Sequence, residues 1–214
     1  MTAAVVPVKA LGAGKSRLAA ALGRAGAEAL ALAMLEDVLA ALLAVPRLEA
    51  VAVVTPDPEV ARAAAAAGAR PLLGDDPGLN ASLDRAAREL GEACANGLLV
   101  VLGDVAGVRP ADVERVLDAL AALGAAGVVL VPAADGGSAA LARRPADVIP
   151  SRFGPDSARA HRDAAARAGV PIVELGLPAL AVDLDDEADL HAFLAGPGAG
   201  PRTRARLRAL GVAA

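Results

Sequence analysis

The sequence predicts an α/β fold, a mainly parallel sheet sandwiched between helices in three layers. Three observations carry this. Short apolar, β-branched runs recur along the chain, each followed by a longer alanine-rich segment with apolar residues three and four apart. The runs are continuous, as strands buried on both faces read. Aromatic residues make up 1% of the chain, with no Trp or Tyr, so the core must close on small aliphatic contacts, which suits stacked helix and sheet layers. With 214 residues the chain fits one domain. We place it at 1–195, with 196–214 as a basic helical tail.

The first strand, AVVPVK at 4–9, runs into a glycine turn and a helix over 16–22; a second helix over 26–44 leads to the strand AVAVVT at 50–55. Asp57 and Pro58 punctuate the start of a helix over 58–67, since Pro is favoured in a first turn and Asp ahead of it. GDDPGLN at 74–80 reads as a loop before a helix over 80–92. GLLVVLGD at 97–104 is a central strand, Pro110 opens a helix over 110–122, and GVVLVP at 127–132 is the next strand. The segment 135–157, DGGSAALARRPADVIPSRFGPDS, is long, polar and rich in Gly, Pro and Arg, and loops of that length are usually functional or disordered. A helix over 156–168, a strand VPIVEL at 170–175 and a helix over 186–194 follow. Asp186, Glu187 and Asp189 complement the positive end of that last helix. GPGAGPRTRARLRAL reads as a Gly/Pro joint and a solvated basic helix.

Composition excludes several functions. A net charge of −4 argues against neutralising many phosphates of a nucleic acid. The single Cys94 cannot form an internal disulfide and is expected to be buried and inert. No basic-then-apolar leader and no uncharged membrane-length run is present, so no membrane partner is expected and a cytoplasmic location follows. His161 and His191 stand isolated in the sequence and are expected at the surface or in packing roles. A homodimer is left open, because an apolar helix face can serve as core or as subunit contact.

Three stretches carry chemistry. VPVKALGAGKSRL brings Lys9, Lys15 and Arg17 to a strand-to-helix turn with Gly12 and Gly14, where backbone N–H groups and cations together can hold phosphate. It is neither a Walker A loop, whose first glycine position is Lys9, nor a dinucleotide fingerprint, whose third glycine position is Arg17. The alternative is a turn whose cations face water. In LLVVLGDVAGVRP, Asp104 follows a buried strand at its carboxyl end, the edge where open α/β sheets place ligands, and a carboxylate there can hold Mg²⁺ shared with substrate phosphates. In AVDLDDEADL, Asp183 and Asp185 alternate along an extended piece and cannot face one way unless the backbone bends. One is expected to ligate metal and the other to cap or support. With no activated Ser, Cys or His constellation, these features suggest transfer at phosphorus, where positioning and charge stabilisation carry the rate.

In order and spacing, VPVKALGAGKSRLA, GLNASL, LGDVAGVRPADV, DGGSAAL, PSRFGPDS and AVDLDDEADL resemble the guanylyltransferases of coenzyme F-420 biosynthesis, which use phosphoenolpyruvate or 2-phospho-L-lactate. The resemblance covers residues 4 to about 194 and implies a GT-A-like, nucleotide-diphospho-sugar transferase-like fold. It implies that Lys15 and Arg17 meet the GTP triphosphate with Lys9, Gly12 and Gly14 close by, and that Gly78, Leu79 and Asn80 line the guanine side. The metal carboxylates would be Asp104 and Asp183 or Asp185, and the phosphorylated acid would sit against Ser138, Gly154 and Ser157. Lys15, Arg17 and Asp104 are the expected catalytic residues, with Mg²⁺ as cofactor. The chain departs from the family pattern in GDVAG, where a GDLP-like turn is usual, and in Ser138–Ala139, where Thr-Asn is usual.

The implied reaction is attack by the phosphate oxygen of phosphoenolpyruvate on the α-phosphorus of GTP, giving enolpyruvoyl-2-diphospho-5'-guanosine and pyrophosphate. The nucleophile is already anionic, so no general base is required. 2-Phospho-L-lactate is the alternative acceptor. Other Mg²⁺-dependent nucleotidyltransferases, acting on a molybdopterin or a sugar phosphate, form a second reading; the arginines of LARRPADVIPSR are expected to favour a small multiply charged acid over a neutral sugar. A GTP-binding regulatory module without turnover is the reading from another class.

Overall fold

The computed structural model describes residues 1–13, 16–181, 184–196 and 198–212. The strands are β1 (Thr2–Pro7), β2 (Leu48–Thr55), β3 (Arg70–Leu73), β4 (Gly97–Val101), β5 (Gly127–Pro132), β6 (Ser138–Arg144) and β7 (Ile172–Glu174). They form one sheet in the order β3-β2-β1-β4-β6-β5-β7. Neighbours run parallel except at β6, which lies antiparallel between β4 and β5. The helices are α1 (Ser16–Leu22), α2 (Arg24–Leu43), α3 (Pro58–Ala66), α4 (Leu79–Leu90), α5 (Pro110–Ala122), α6 (Ser157–Ala168), α7 (Glu187–Ala195) and α8 (Pro201–Ala209). Among the described residues no helix is long and apolar enough to cross a membrane.

Alternation along the strands divides the core into two layers, as a pleated backbone requires. Ala4 and Val6 of β1 join Leu35 and Leu39 of α2, Val60 of α3 and Val116 of α5 on one face. Ala3 and Val5 join Leu83 and Ala86 of α4 and Ala165 of α6 on the other. Each fully buried leucine in these layers contributes about 1.5–3 kcal/mol. A third cluster, with Leu18, Leu30, Met34, Leu190, Phe193 and Leu207, ties α1, α2, α7 and α8 together.

Two strands depart from the sequence reading. Residues 138–144, expected within a long loop, form β6 in the middle of the sheet, where Ser138 to Arg143 are buried. SAALA lacks the β-branched residues that mark strands; it is strand because β4 and β5 pair with it on both sides. β3 was hidden because RPLL is short and carries Pro71, which a sheet tolerates at an edge, and β3 lies at the edge.

The expected solvated tail is instead docked. Asp37 of α2 is 4% exposed; its carboxylate accepts the backbone N–H groups of Arg202 at 3.2 Å and Thr203 at 2.8 Å and the Thr203 hydroxyl at 2.8 Å. These are first-turn donors of α8 that the helix itself leaves without partners. Arg204 gives its guanidinium to the carbonyls of Phe193, Leu194, Gly196, Gly198 and Ala199, and it sits 4.7 Å from the centre of the Phe193 ring. Arg204 therefore fastens the end of α7 and the joint after it.

Candidate functional site

A cavity of about 510 Å³ opens at the carboxyl ends of β1, β2 and β4, at the crevice where an open sheet places its ligands. That volume suits a nucleotide-sized ligand. Its walls come from the turn after β1, the start of α4, the loop after β4, the start of β6, the 153–157 segment, and α2, which adds Ala27, Ala31 and Met34.

The turn after β1 is held from β2. Asp57, the N-cap of α3, accepts the Glu59 N–H with one oxygen and the Leu11 N–H with the other, at 2.8 and 3.0 Å. The Leu11 N–H is the main reason its carboxyl is held below the usual carboxylate range, because a hydrogen bond to the charged form favours it. Lys9 and Leu11 lie on the cavity wall beside this anchor.

The loop after β4 crosses closely over β1. A Cβ at Gly103 would lie 3.0 Å from Val8 Cγ2 and 3.3 Å from the Pro7 carbonyl oxygen, so a side chain there would push Asp104 away from β1. At Gly107 a Cβ would collide with the Ala179 carbonyl oxygen, and the Gly107 carbonyl accepts the Ala199 N–H at 3.0 Å. The GDVAG stretch thus makes two close backbone approaches, at Gly103 and Gly107, that leave no room for a side chain.

Asp104 and Asp185, separated by eighty-one positions in the chain, line the same cavity. Asp185 directly precedes Asp186, the N-cap of α7, which forms a capping box with Asp189, and the Asp189 carboxylate also accepts the Asp185 N–H at 2.9 Å. The cap thereby fixes the backbone that carries Asp185. Gly14, Lys15 and Asp183 lie outside the described residues. Among the described residues no group of three or more His, Cys, Asp or Glu side chains is placed to hold a metal. Of the carboxylates expected to hold metal, Asp104 and Asp185 are the two that line the cavity among the described residues.

Ser138, Gly154, Ser157, Lys9 and Leu79 all reach the cavity. Gly12, Arg17, Gly78 and Asn80 are not among its lining residues. Arg17 is 77% exposed, with its guanidinium 3.9 Å from Asp186. Gly78, at φ 98°, is the N-cap of α4, and its N–H donates to Asp76 at 3.0 Å. Asn80, expected on the guanine side, bonds through its side chain to Phe153, which lines the cavity. Its Nδ2–H donates to the Phe153 carbonyl at 3.1 Å and its Oδ1 accepts the Phe153 N–H at 2.8 Å. Asn80→Ala should therefore raise the KM for the acid substrate several-fold and leave the KM for the nucleotide nearly unchanged in steady-state kinetics, the reverse of what a guanine contact predicts.

None of the three arginines expected to favour an acidic substrate, Arg143, Arg144 and Arg152, is among the cavity's lining residues, and Arg152 is exposed. Arg143 is 1% exposed and donates to the Ile149 carbonyl at 2.7 Å, while Arg144 donates to the carbonyls of Asn96 and Gly124. Both serve the strand β6 that carries them, and neither lines the cavity. Conversely, Asp75, Asp76 and Asp135 lie on the wall without having been singled out in the sequence. The DGG pattern signals Asp135, which accepts the Gly137 N–H at 2.7 Å, as Asp commonly does two residues ahead in a turn.

A family model described as "Guanylyl transferase CofC like" matches residues 2–214. The chain belongs to this family. Among its relatives are phosphoenolpyruvate guanylyltransferases from Sphaerobacter thermophilus, 41% identical over 89% of this chain and 91% of the relative, and from Rubrobacter xylanophilus, 40% identical over 94% and 97%. A solved nucleotidyl transferase from Methanothermobacter shares the fold at a TM-score of 0.67, with 22% identity and coverage of 98% of this chain and 99% of that one. The family match also spans α8, the helix that Asp37 docks. This CofC-like guanylyl transferase thus has the nucleotidyltransferase fold read from its sequence, with the candidate carboxylates at the mouth of its central strands.

Proposed function

We propose that the chain transfers GMP from GTP to phosphoenolpyruvate, with Mg²⁺ as its cofactor. The observation that carries this is the shared cavity: Asp104 and Asp185 line it together with Lys9, Ser138, Gly154 and Ser157. The name borne by the relatives supports the choice of acceptor. We place the enzyme in the cytoplasm.

In this reading a phosphate oxygen of phosphoenolpyruvate forms a bond to the α-phosphorus of GTP, the bond from that phosphorus to the bridging α–β oxygen breaks, and pyrophosphate leaves with the electron pair. Lys9, with Lys15 and Arg17, binds the triphosphate. The turn anchored by Asp57 orients it, and Leu79 packs beside the nucleotide. Ser138 and Ser157 hold the acid, leaving its phosphate facing the α-phosphorus. Asp104 and Asp185 fit a hard divalent cation, because Mg²⁺ is usually held by one or two carboxylates plus substrate phosphates. Such an ion screens the repulsion between two anions and stabilises the leaving charge.

Incubating the purified protein with GTP, Mg²⁺ and each acid separately, and following pyrophosphate, tests this. Release is expected with phosphoenolpyruvate. Release with 2-phospho-L-lactate alone would change the acceptor, and GTP binding without acid-dependent release would make the chain a nucleotide-binding module.

A further inference from the structure

His161 looks in the sequence like a packing residue, and in the structure it is fully buried on α6. Both of its ring nitrogens nevertheless have partners, one on the cavity-lining Ser138 and one on the backbone just before the cavity-lining Phe153 and Gly154. Nε2 accepts the backbone N–H of Arg152 at 3.0 Å, and Nδ1 lies 2.9 Å from the Ser138 hydroxyl. A nitrogen that accepts an N–H carries no proton, so the proton of the neutral ring must sit on Nδ1 and point to Ser138 Oγ. A hydroxyl that already accepts from the ring has its own proton left to donate. Ser138 lines the cavity, so that proton is available to a ligand there.

The surroundings keep the ring neutral. Burial first, then the charges of Arg143 and Arg152, bring its pKa down to about 4, so the tautomer persists across the physiological range. The ring also packs edge-on against Phe153, with centroids 5.0 Å apart and planes at 71°. Phe153 is the residue that Asn80 clamps from α4, and Ser151 donates to Asp84 of the same helix at 2.9 Å. The 151–154 backbone is thus held between α4 and His161, and it carries Gly154 to the cavity.

We propose that His161 is a positioning residue for the acid substrate, its Nδ1–H holding the Ser138 hydroxyl as a donor to the acceptor's anionic group while Nε2 fixes the backbone that presents Phe153 and Gly154. This rests on the reading that Ser138, Gly154 and Ser157 form the acid-binding wall. Packing alone would require neither a particular tautomer nor an effect confined to one substrate.

Two measurements test it. The chain contains two histidines, so long-range ¹H–¹⁵N NMR correlation of the labelled wild-type protein can assign the ring directly. A protonated Nδ1 and bare Nε2, unchanged from pH 8 to pH 5.5, is expected; the opposite tautomer, or titration near the ordinary histidine value, would overturn the proposal. In kinetics, loss of the aligned donor in His161→Phe should raise the KM for phosphoenolpyruvate about tenfold and leave the KM for GTP within about twofold. His161→Asn, whose amide can replace the Nδ1–H, should recover most of the loss. Ser138→Ala should match His161→Phe, and the double variant should be little worse than either. If Ser138→Ala impairs acid binding and His161→Phe does not, the positioning role falls and the acid-wall reading stands. If Ser138→Ala leaves the acid KM unchanged, or the wild type shows no acid-dependent turnover, the acid-wall reading fails and the proposal falls with it.

Discussion

Asp104→Asn should lower the rate of acid-dependent pyrophosphate release by about 10²–10³-fold, the loss typical of removing one group that stabilises transition-state charge, while the fold is retained. Asp104 stands three residues beyond β4, a strand buried along its whole length, and its loop is seated on β1 through Gly103. The position is therefore set by the centre of the sheet. Asparagine keeps the shape and removes the charge, so thermal melting should change little and the rate should change greatly. Asp185→Asn should cost less, because Asp185 is exposed and sits on a segment fixed by a cap instead of a central strand. Initial rates at saturating GTP over a range of Mg²⁺ concentrations would check both. An Asp104→Asn enzyme that turns over at the wild-type rate would remove the carboxylate pair from the reaction.

What could be read from the sequence followed how directly each residue's role depends on its own neighbours. Helices such as α1 and α5 begin and end where their apolar spacing and, for α5, Pro110 place them, because those signals are local. β6 was not readable, since Ala139 to Ala142 become strand only through partners that arrive from 97–101 and 127–132. At the site the same division holds. Asp104 and Asp185 reach one cavity because each follows an element whose end lies at the same sheet edge, which the strand–helix order already implies. Leu79 and Asn80 are adjacent in sequence, yet one faces the cavity and the other holds Phe153. A helix turns about 100° per residue, and only the position of its neighbours decides which side becomes the wall. Arg143 and Arg144 mislead for a similar reason: as exposed loop residues they would recruit anions, but β6 spends both on backbone carbonyls. His161 carried no sequence signal, because its meaning depends on Ser138, twenty-three residues away.

Asp37→Ala should destabilise the protein by about 3 kcal/mol, in the range for hydrogen bonds to a buried charged group, and lower Tm by roughly 6–12 °C. The side chain is nearly inaccessible to solvent and accepts two backbone N–H groups and the Thr203 hydroxyl from the first turn of α8. Truncation leaves those donors without acceptors, since Thr203 is itself fully buried. Asp37→Asn should fall between wild type and alanine, because one amide oxygen still accepts while the NH₂ group opposes a donor. The Arg202 ion pair adds little, as that side chain is 51% exposed and 3.5 Å from its partners Glu36 and Asp37. The loss should extend to the site. α8 follows the joint whose Ala199 N–H donates to the Gly107 carbonyl, three residues beyond Asp104, and Arg204 holds that joint closed. Removing residues 196–214 should therefore bare Leu30 and Met34, which Leu207 otherwise helps to cover in one cluster, and should reduce activity along with stability. Denaturant melts and rates on the two Asp37 variants and the shortened chain would check this. A shortened enzyme as stable and as active as the full chain would mean that α8 rests on the domain without supporting it.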